Sequence, residues 1–321
     1  MMETRTLSVP GFRIGTAEDR DGLTGVTVIL APEGGAAAGV DVRGCAPGTR
    51  ETDLLRPEKT VQKIHAIVLA GGSAFGLEAG SGVMKYLAEK EIGFFVGPAC
   101  VPIVCQAVLF DLLIGSHKAH PTIDMGYQAA SVAGTTFPVG CYGAGTGATV
   151  GKLLGAEHAM KSGSGYAEFH LDSGLYVGAY MAVNACGEIY EGDQVLAGAL
   201  AEDEKTIISS HQLMMQGFKR IMGGNTSIGC VITNAKLSKA ECNAICGMAH
   251  DGYARSIRPV HTTMDGDTVF TMASGEVEAP VDTVGYLAEE AIRLAVLDAI
   301  KTAESMGGRP AYTQVKGGKS F

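Results

Sequence analysis

Charged residues are scarce in this sequence: they make up 18% of its 321 positions, and 34 acidic side chains face 25 basic ones. The net charge of −9 argues against a nucleic-acid binder, which needs a basic surface to displace counterions. No apolar stretch is long enough to span a bilayer; the longest, such as residues 101–109, are short and interrupted. No apolar run follows Met1-Met2-Glu3-Thr4-Arg5, so no signal peptide is expected. The eight cysteines contain no CxxC pair, and none stands at zinc-finger spacing. Most sit among apolar neighbours, as in Cys230-Val231-Ile232, and read as buried reduced thiols of a cytoplasmic protein. Cys242 and Cys246 are four apart, which puts them on one face of a helix. There is no GxSxG elbow, so His250-Asp251 does not complete a hydrolase triad. His117 and His120 lack an acidic or cysteine partner at helix spacing, and His250 and His261 read as structural or surface residues. No metal and no cofactor is expected.

What is present is a globular composition, with 46% hydrophobic residues, long enough for one large domain or two tightly joined ones. The 45 glycines are about twice the usual share of ~7%, without period, and imply many tight turns. Strands are expected at residues 23–30, 39–44, 64–69, 92–96, 101–110, 174–184, 227–233 and 268–273, where β-branched and apolar residues cluster. Helical spacing marks residues 73–91, 122–134, 238–253 and 283–305, with part of 201–215. Residues 48–57 read as a polar loop and 140–151 as a glycine-rich one. Several neighbouring strands lack an intervening helix. The pattern therefore predicts a mixed sheet system with helical outer layers, in one compact unit spanning 1–321.

The most informative segment is Gly223-Gly224-Asn225-Thr226-Ser227-Ile228-Gly229-Cys230. In self-processing hydrolases a Ser, Thr or Cys at the start of a strand attacks the carbonyl of the preceding residue. The ester that forms is hydrolysed and a new N-terminus is freed. Its α-amino group, with an intrinsic pKa near ~8, then serves as general base for the hydroxyl on the same residue. By itself, a glycine pair and Asn-Thr before a strand is usually a turn and a capping threonine.

The rest of the chain carries further long strings: LAGGSAFGLEAGSGVMKYL at 69–87, PGTRETDL at 47–54, AVLFDL at 107–112, GAGTGATVGK at 143–152 and GNTSIGCVITN at 224–234. Together they resemble the DmpA-like L-aminopeptidase/D-esterase family of self-cleaving hydrolases, which includes the nylon-oligomer hydrolases. The resemblance runs from about Gly11 to Ala303. It implies an α/β (α+β) fold, a four-layer αββα-type sandwich similar to N-terminal-nucleophile hydrolases but differently connected. It implies cleavage of the Asn225-Thr226 bond into 1–225 and 226–321, a small peptide or amide as substrate, and a homo-oligomer, commonly a tetramer.

Carried over by resemblance, Thr226 matches the nucleophile, and Asp265 and Asp267 match the residues that orient it. Asp-Gly-Asp on entry to a strand puts two carboxylates on one face, where each disfavours the charge of the other unless a cation intervenes. Lys152 or a Thr226 ammonium fits that part. Asn184 matches a family asparagine able to donate to an oxyanion, and Lys152 resembles an active-site lysine. Lys152 is followed by Leu153, so the glycine run before it is not a P-loop. A threonine nucleophile and Asp265, where the aminopeptidase branch has serine, look more like the nylon-oligomer branch. Two positions depart from the family pattern: Phe110 stands where several relatives carry a tyrosine, and Cys105-Gln106 where they often have Pro-Ala. Two rival readings remain open at this level: an amine acyltransferase of the ornithine-acetyltransferase type, and an unprocessed, non-catalytic ligand-binding homologue.

Overall fold

A computed structural model describes residues 2–217 and 224–316. Two five-stranded sheets dominate it. The first runs Arg13–Asp19, Thr24–Leu30, Ala66–Ala70, Val104–Val108, Gly48–Arg50; all neighbours are antiparallel except the parallel pair Ala66–Ala70 and Val104–Val108. The second runs Ser164–His170, Tyr176–Ala182, Ile228–Ala235, Thr268–Val277, Ala37–Val42, again with one parallel pair, Ile228–Ala235 beside Thr268–Val277.

Alternation along the strands explains the layering. Ile29, Ile67 and Leu69 of the first sheet pack against Cys230, Ile232 and Phe270 of the second. Their neighbours Val28, Val68 and Ala70 turn the other way, onto the helices Ala79–Glu89 and Ile123–Ser131. On the far side, Val231 and Val269 meet the helices Lys239–Ser256 and Val281–Lys301. The order is helix, sheet, sheet, helix, the expected four-layer sandwich. Strands covered on both faces are rich in apolar residues, and Thr24–Leu30, Ala66–Ala70 and Ile228–Ala235 are buried at every position; polar members such as Thr27 and Thr233 are hydrogen-bonded to the Tyr180 hydroxyl and the Tyr176 carbonyl.

Several local expectations shift. Residues 73–91 are not one helix: a 3₁₀ segment, Ser73–Glu78, precedes the α-helix Ala79–Glu89, because Gly72 and Ser73 both have positive φ and the chain must unwind from that turn. Residues 101–110 are broken at Pro102, which cannot donate to a ladder, so the hairpin Phe94–Val96/Ala99–Val101 ends there and Val104–Val108 starts afresh. Gly48–Arg50, expected as loop, pairs as a sheet edge with Val104–Val108. The segment 201–215 is helical only over Ser210–Met215. Cys242 and Cys246 are both buried on one helix face, whereas Cys45 is exposed. Among the described residues no helix is long and apolar enough to cross a membrane.

Candidate active site

The parallel pair in the second sheet builds the site. Ile228 pairs with Thr268, and the same register continues upstream to a bridge between Asn225 and Asp265. Thr226 is therefore level with Gly266. On its other side Ala182 pairs antiparallel with Ile228, and two residues further on Asn184 meets Thr226. The sheet thus brings three loop entries, around residues 184, 226 and 266, to one edge. Asn184, Asn225, Thr226, Asp265, Asp267 and Lys152 are all buried.

The hydrogen bonds follow from that register. Thr226 N donates to Asn184 O at 3.0 Å. Gly266 N donates to Thr226 Oγ1 at 3.1 Å, and the Thr226 hydroxyl itself lies against the carbonyl oxygen of Asn225. Position 266 requires glycine: a Cβ there would sit 2.5 Å from Ala46 O and 2.8 Å from Thr226 Oγ1. Lys152 Nζ donates to Asn184 Oδ1 at 2.7 Å and to Asn184 O at 3.0 Å. Thr149 N donates to the same Oδ1 at 3.0 Å, and Asn184 Nδ2 donates to Phe110 O at 2.9 Å. The Asn184 amide is thus fixed in orientation, with one N–H engaged by the Phe110 backbone.

The two carboxylates are held separately. Asp267 Oδ1 accepts from Ser227 N at 2.8 Å, and its Oδ2 accepts from His261 Nδ1 at 2.8 Å and His261 N at 3.2 Å. Asp265 Oδ2 accepts from Thr262 N at 2.9 Å and from the Thr262 hydroxyl. Asp265 Oδ1 is buried with no hydrogen-bond partner among the described residues. Burial first, and then the neighbouring Asp267 charge, push the Asp265 carboxyl up; the Thr262 bonds and the Lys152 charge oppose this. Lys152 Nζ is held by Asn184, and its charge favours the ionised form of Asp265.

A cavity of ≈ 220 Å³ opens beside Thr226, walled by Pro47, Val108, Leu109, Phe110 and Met264, with Ser73 as a polar contributor. Phe110 shapes it. Its ring lies so close to Gly224, whose φ is +124°, that a Cβ there would come within 2.9 Å of the ring.

The structure brings all the sequence-expected residues together: Thr226, Asp265, Asp267, Asn184, Lys152 and Asn225. Gly223, the first of the glycine pair, lies outside the described residues. Sequence reading missed three members of this shell. Gly266 was visible only as the middle of Asp-Gly-Asp. Thr262 stands three residues before Asp265, a spacing at which a threonine hydroxyl can bond a turn carboxylate. His261, read as structural or surface, instead donates twice to Asp267, and no local pattern announces it because its main contact lies across a turn.

Known proteins share this fold and family. The solved L-aminopeptidase D-Ala-esterase/amidase of Ochrobactrum anthropi, described as a new variant among the Ntn hydrolase fold, superposes with a TM-score of 0.69 over 94% of this chain and 87% of its own, at 18% identity. The fold is thus that of an Ntn-type hydrolase variant. The profile of Peptidase family S58 matches residues 6–314, and the chain belongs to that family. An "uncharacterized aminopeptidase" of Mycobacterium leprae is 42% identical over 316 residues, covering 90% of this chain and 85% of the relative. A 6-aminohexanoate-oligomer endohydrolase of Kocuria sp. is 32% identical over 323 residues, covering 93% and 86%. The protein is a hydrolase of the aminopeptidase and amidase type, and the family favours this over acyl transfer to an amine or a purely binding role.

Proposed function

We propose that the chain matures by cutting its own Asn225-Thr226 bond and then hydrolyses amides with Thr226 as an N-terminal nucleophile. The observation that carries this reading is the Thr226 hydroxyl resting against the carbonyl of the residue it would release, with the Gly266 N–H on its oxygen. In maturation Oγ1 attacks the Asn225 carbonyl carbon, the C–N bond breaks, and the hydroxyl proton passes to the departing amine. Water then hydrolyses the ester, leaving an Asn225 carboxylate and a Thr226 α-amine.

In turnover the α-amine takes the proton of Oγ1 as it attacks a substrate amide, and returns it to the leaving amine. Water, deprotonated by the same amine, clears the acyl-enzyme. The unpartnered Oδ1 of Asp265 suits the α-ammonium that maturation creates. Lys152, fixed by Asn184, supplies positive charge, and the Asn184 amide retains one N–H for a developing oxyanion.

The lining side chains of the cavity carry no charge among the described residues, which suits an apolar acyl segment. The relatives include proteins named as aminopeptidases and as oligomer endohydrolases, and an uncharged wall favours an internal amide over a substrate anchored by its free ammonium. A chain with eight cysteines and no CxxC pair suits a reducing, cytoplasmic setting. The exposed hairpin residues Phe94, Phe95 and Val96 give a homo-oligomer, with a tetramer favoured, an apolar surface to cover. Mass spectrometry of the purified chain tests the maturation step, and release of free amine from an apolar amide tests turnover.

A further inference from the structure

His261 is a histidine in an unusual place. Its φ of +53° puts a non-glycine residue in the left-handed region, which costs free energy and needs a reason. The conformation aims its backbone N–H and its ring Nδ1 at one oxygen, Asp267 Oδ2, at 3.2 and 2.8 Å. A carboxylate oxygen accepts, so Nδ1 carries the proton in this contact. With Ser227 N on Oδ1, Asp267 receives three donors, while Asp265 receives two on a single oxygen.

Behind the ring is a closed aromatic cluster. The His261 ring centroid lies 4.7 Å from that of His250 and 5.7 Å from that of Tyr253, both on the Lys239–Ser256 helix. His261 Nε2, Tyr253 Oη and His250 Nδ1 are buried without hydrogen-bond partners among the described residues. His250 Nε2 meets the carbonyl of Asp41 at 3.0 Å, and burial pushes the His250 imidazole down to about 4, so it stays neutral in the working range. The charged or titratable groups that face this cluster are Asp267 on its own turn, His250 and Tyr253 on the helix, and Asp41 and Arg43 on the neighbouring strand and its end.

We infer that His261 is a positioning residue for the reaction: its ring and backbone N–H groups fix the Asp267 carboxylate, which in turn holds Ser227 N and so the seat of Thr226. The inference rests on the proposed site, since it assigns a task to a partner of Asp267. His261 supplies two of the three donors on Asp267. Its backbone N–H survives substitution, but the ring N–H does not. Losing that donor should loosen Asp267 and, through Ser227, the Thr226 hydroxyl.

The test uses full-length protein that has already been cut, with an apolar amide as substrate. His261→Phe keeps the aromatic packing and removes the donor. His261→Asn keeps a donor near the Nδ1 position and tolerates the left-handed backbone. The expected result is a fall in kcat of about ten- to a hundredfold for His261→Phe, with KM within about twofold. His261→Asn should recover most of kcat, because it restores a donor to Asp267. Wild-type kcat in His261→Phe, or a kcat loss that His261→Asn shares fully, overturns the inference. Should His261→Phe fold poorly, nitrogen NMR of wild-type His261 decides the matter: an Nδ1–H tautomer supports it and an Nε2–H tautomer contradicts it. Asp267→Asn runs beside these as the control. If it is inactive while His261→Phe is not, only the present inference fails; if it too turns over at the wild-type rate, the site itself is misassigned.

Discussion

Replacing Gly266 by alanine probes the nucleophile's seat without touching any group that reacts. Gly266 is not in the left-handed region, so alanine is refused by space alone. Its Cβ would lie 2.5 Å from Ala46 O, 2.8 Å from Thr226 Oγ1 and 3.0 Å from Pro47 Cα. Two of those neighbours are backbone, and the Ala46 segment is tied down by its own bond from Ala46 N to Asp265 O at 2.9 Å. The relief must come from the Asp265–Asp267 turn or from Thr226, by several tenths of an ångström. Overpacking of this kind costs about 1–3 kcal/mol of stability. A nucleophile misplaced by about 1 Å loses roughly 10²-fold in rate, so a shift of half that should slow both steps about tenfold. The Gly266 N–H is kept in alanine, which makes the loss positional. The assay follows cutting of freshly made Gly266→Ala protein over time, then turnover of the cut fraction against an apolar amide. Wild-type rates in both, with an unchanged Tm, would refute the reasoning.

Three further outcomes follow. Burial pushes the Asp111 carboxyl up to about 6, although Gly72 N at 2.7 Å and Thr24 Oγ1 at 2.8 Å donate to it. A raised acid stabilises the fold fully below its unfolded value of ~3.9 and loses that contribution as pH rises through the folded value, here about 3 kcal/mol between roughly pH 4 and 6. Urea midpoints across that range should fall with pH by this component, and Asp111→Asn should flatten it; an unchanged slope would contradict the assignment. Cut Asn184→Ala should lose about 10²–10³-fold in kcat with little change in KM, and cut Asp267→Asn should lose orders of magnitude; kcat at the wild-type level in both would show that the roles were carried onto the wrong residues. Light scattering at micromolar concentration should give a multiple of the 33.2 kDa protomer mass, and a single protomer would count against assembly.

Much of the sandwich could be read from apolar runs, because strands buried on both faces leave continuous hydrophobic stretches; Ala66–Ala70 and Ile228–Ala235 are of this kind. Edge strands were less legible. Arg13–Asp19 carries charges at both ends around a short Ile-Gly-Thr-Ala centre, and the far half of Ser164–His170 is only partly buried, so neither shows an apolar run. The nucleophile segment and Asp-Gly-Asp could be found because long strings around them resemble a family, not because their local chemistry is distinctive. Their adjacency comes from a parallel register between strands forty residues apart, which no local pattern encodes. His261 was hidden for the same reason with an added one: a left-handed histidine has no sequence mark, and its worth appears only when Asp267 stands opposite it.

The central claim is that Thr226 attacks the carbonyl of Asn225, and intact-mass analysis of purified wild-type protein addresses it most directly. The account predicts two associated chains, 1–225 and 226–321, of about 23 and 10 kDa from a 33.2 kDa precursor. Thr226→Ala should remain whole, and Thr226→Ser should still be cut. A wild-type chain that stays at a single uncut mass after long incubation would contradict the account.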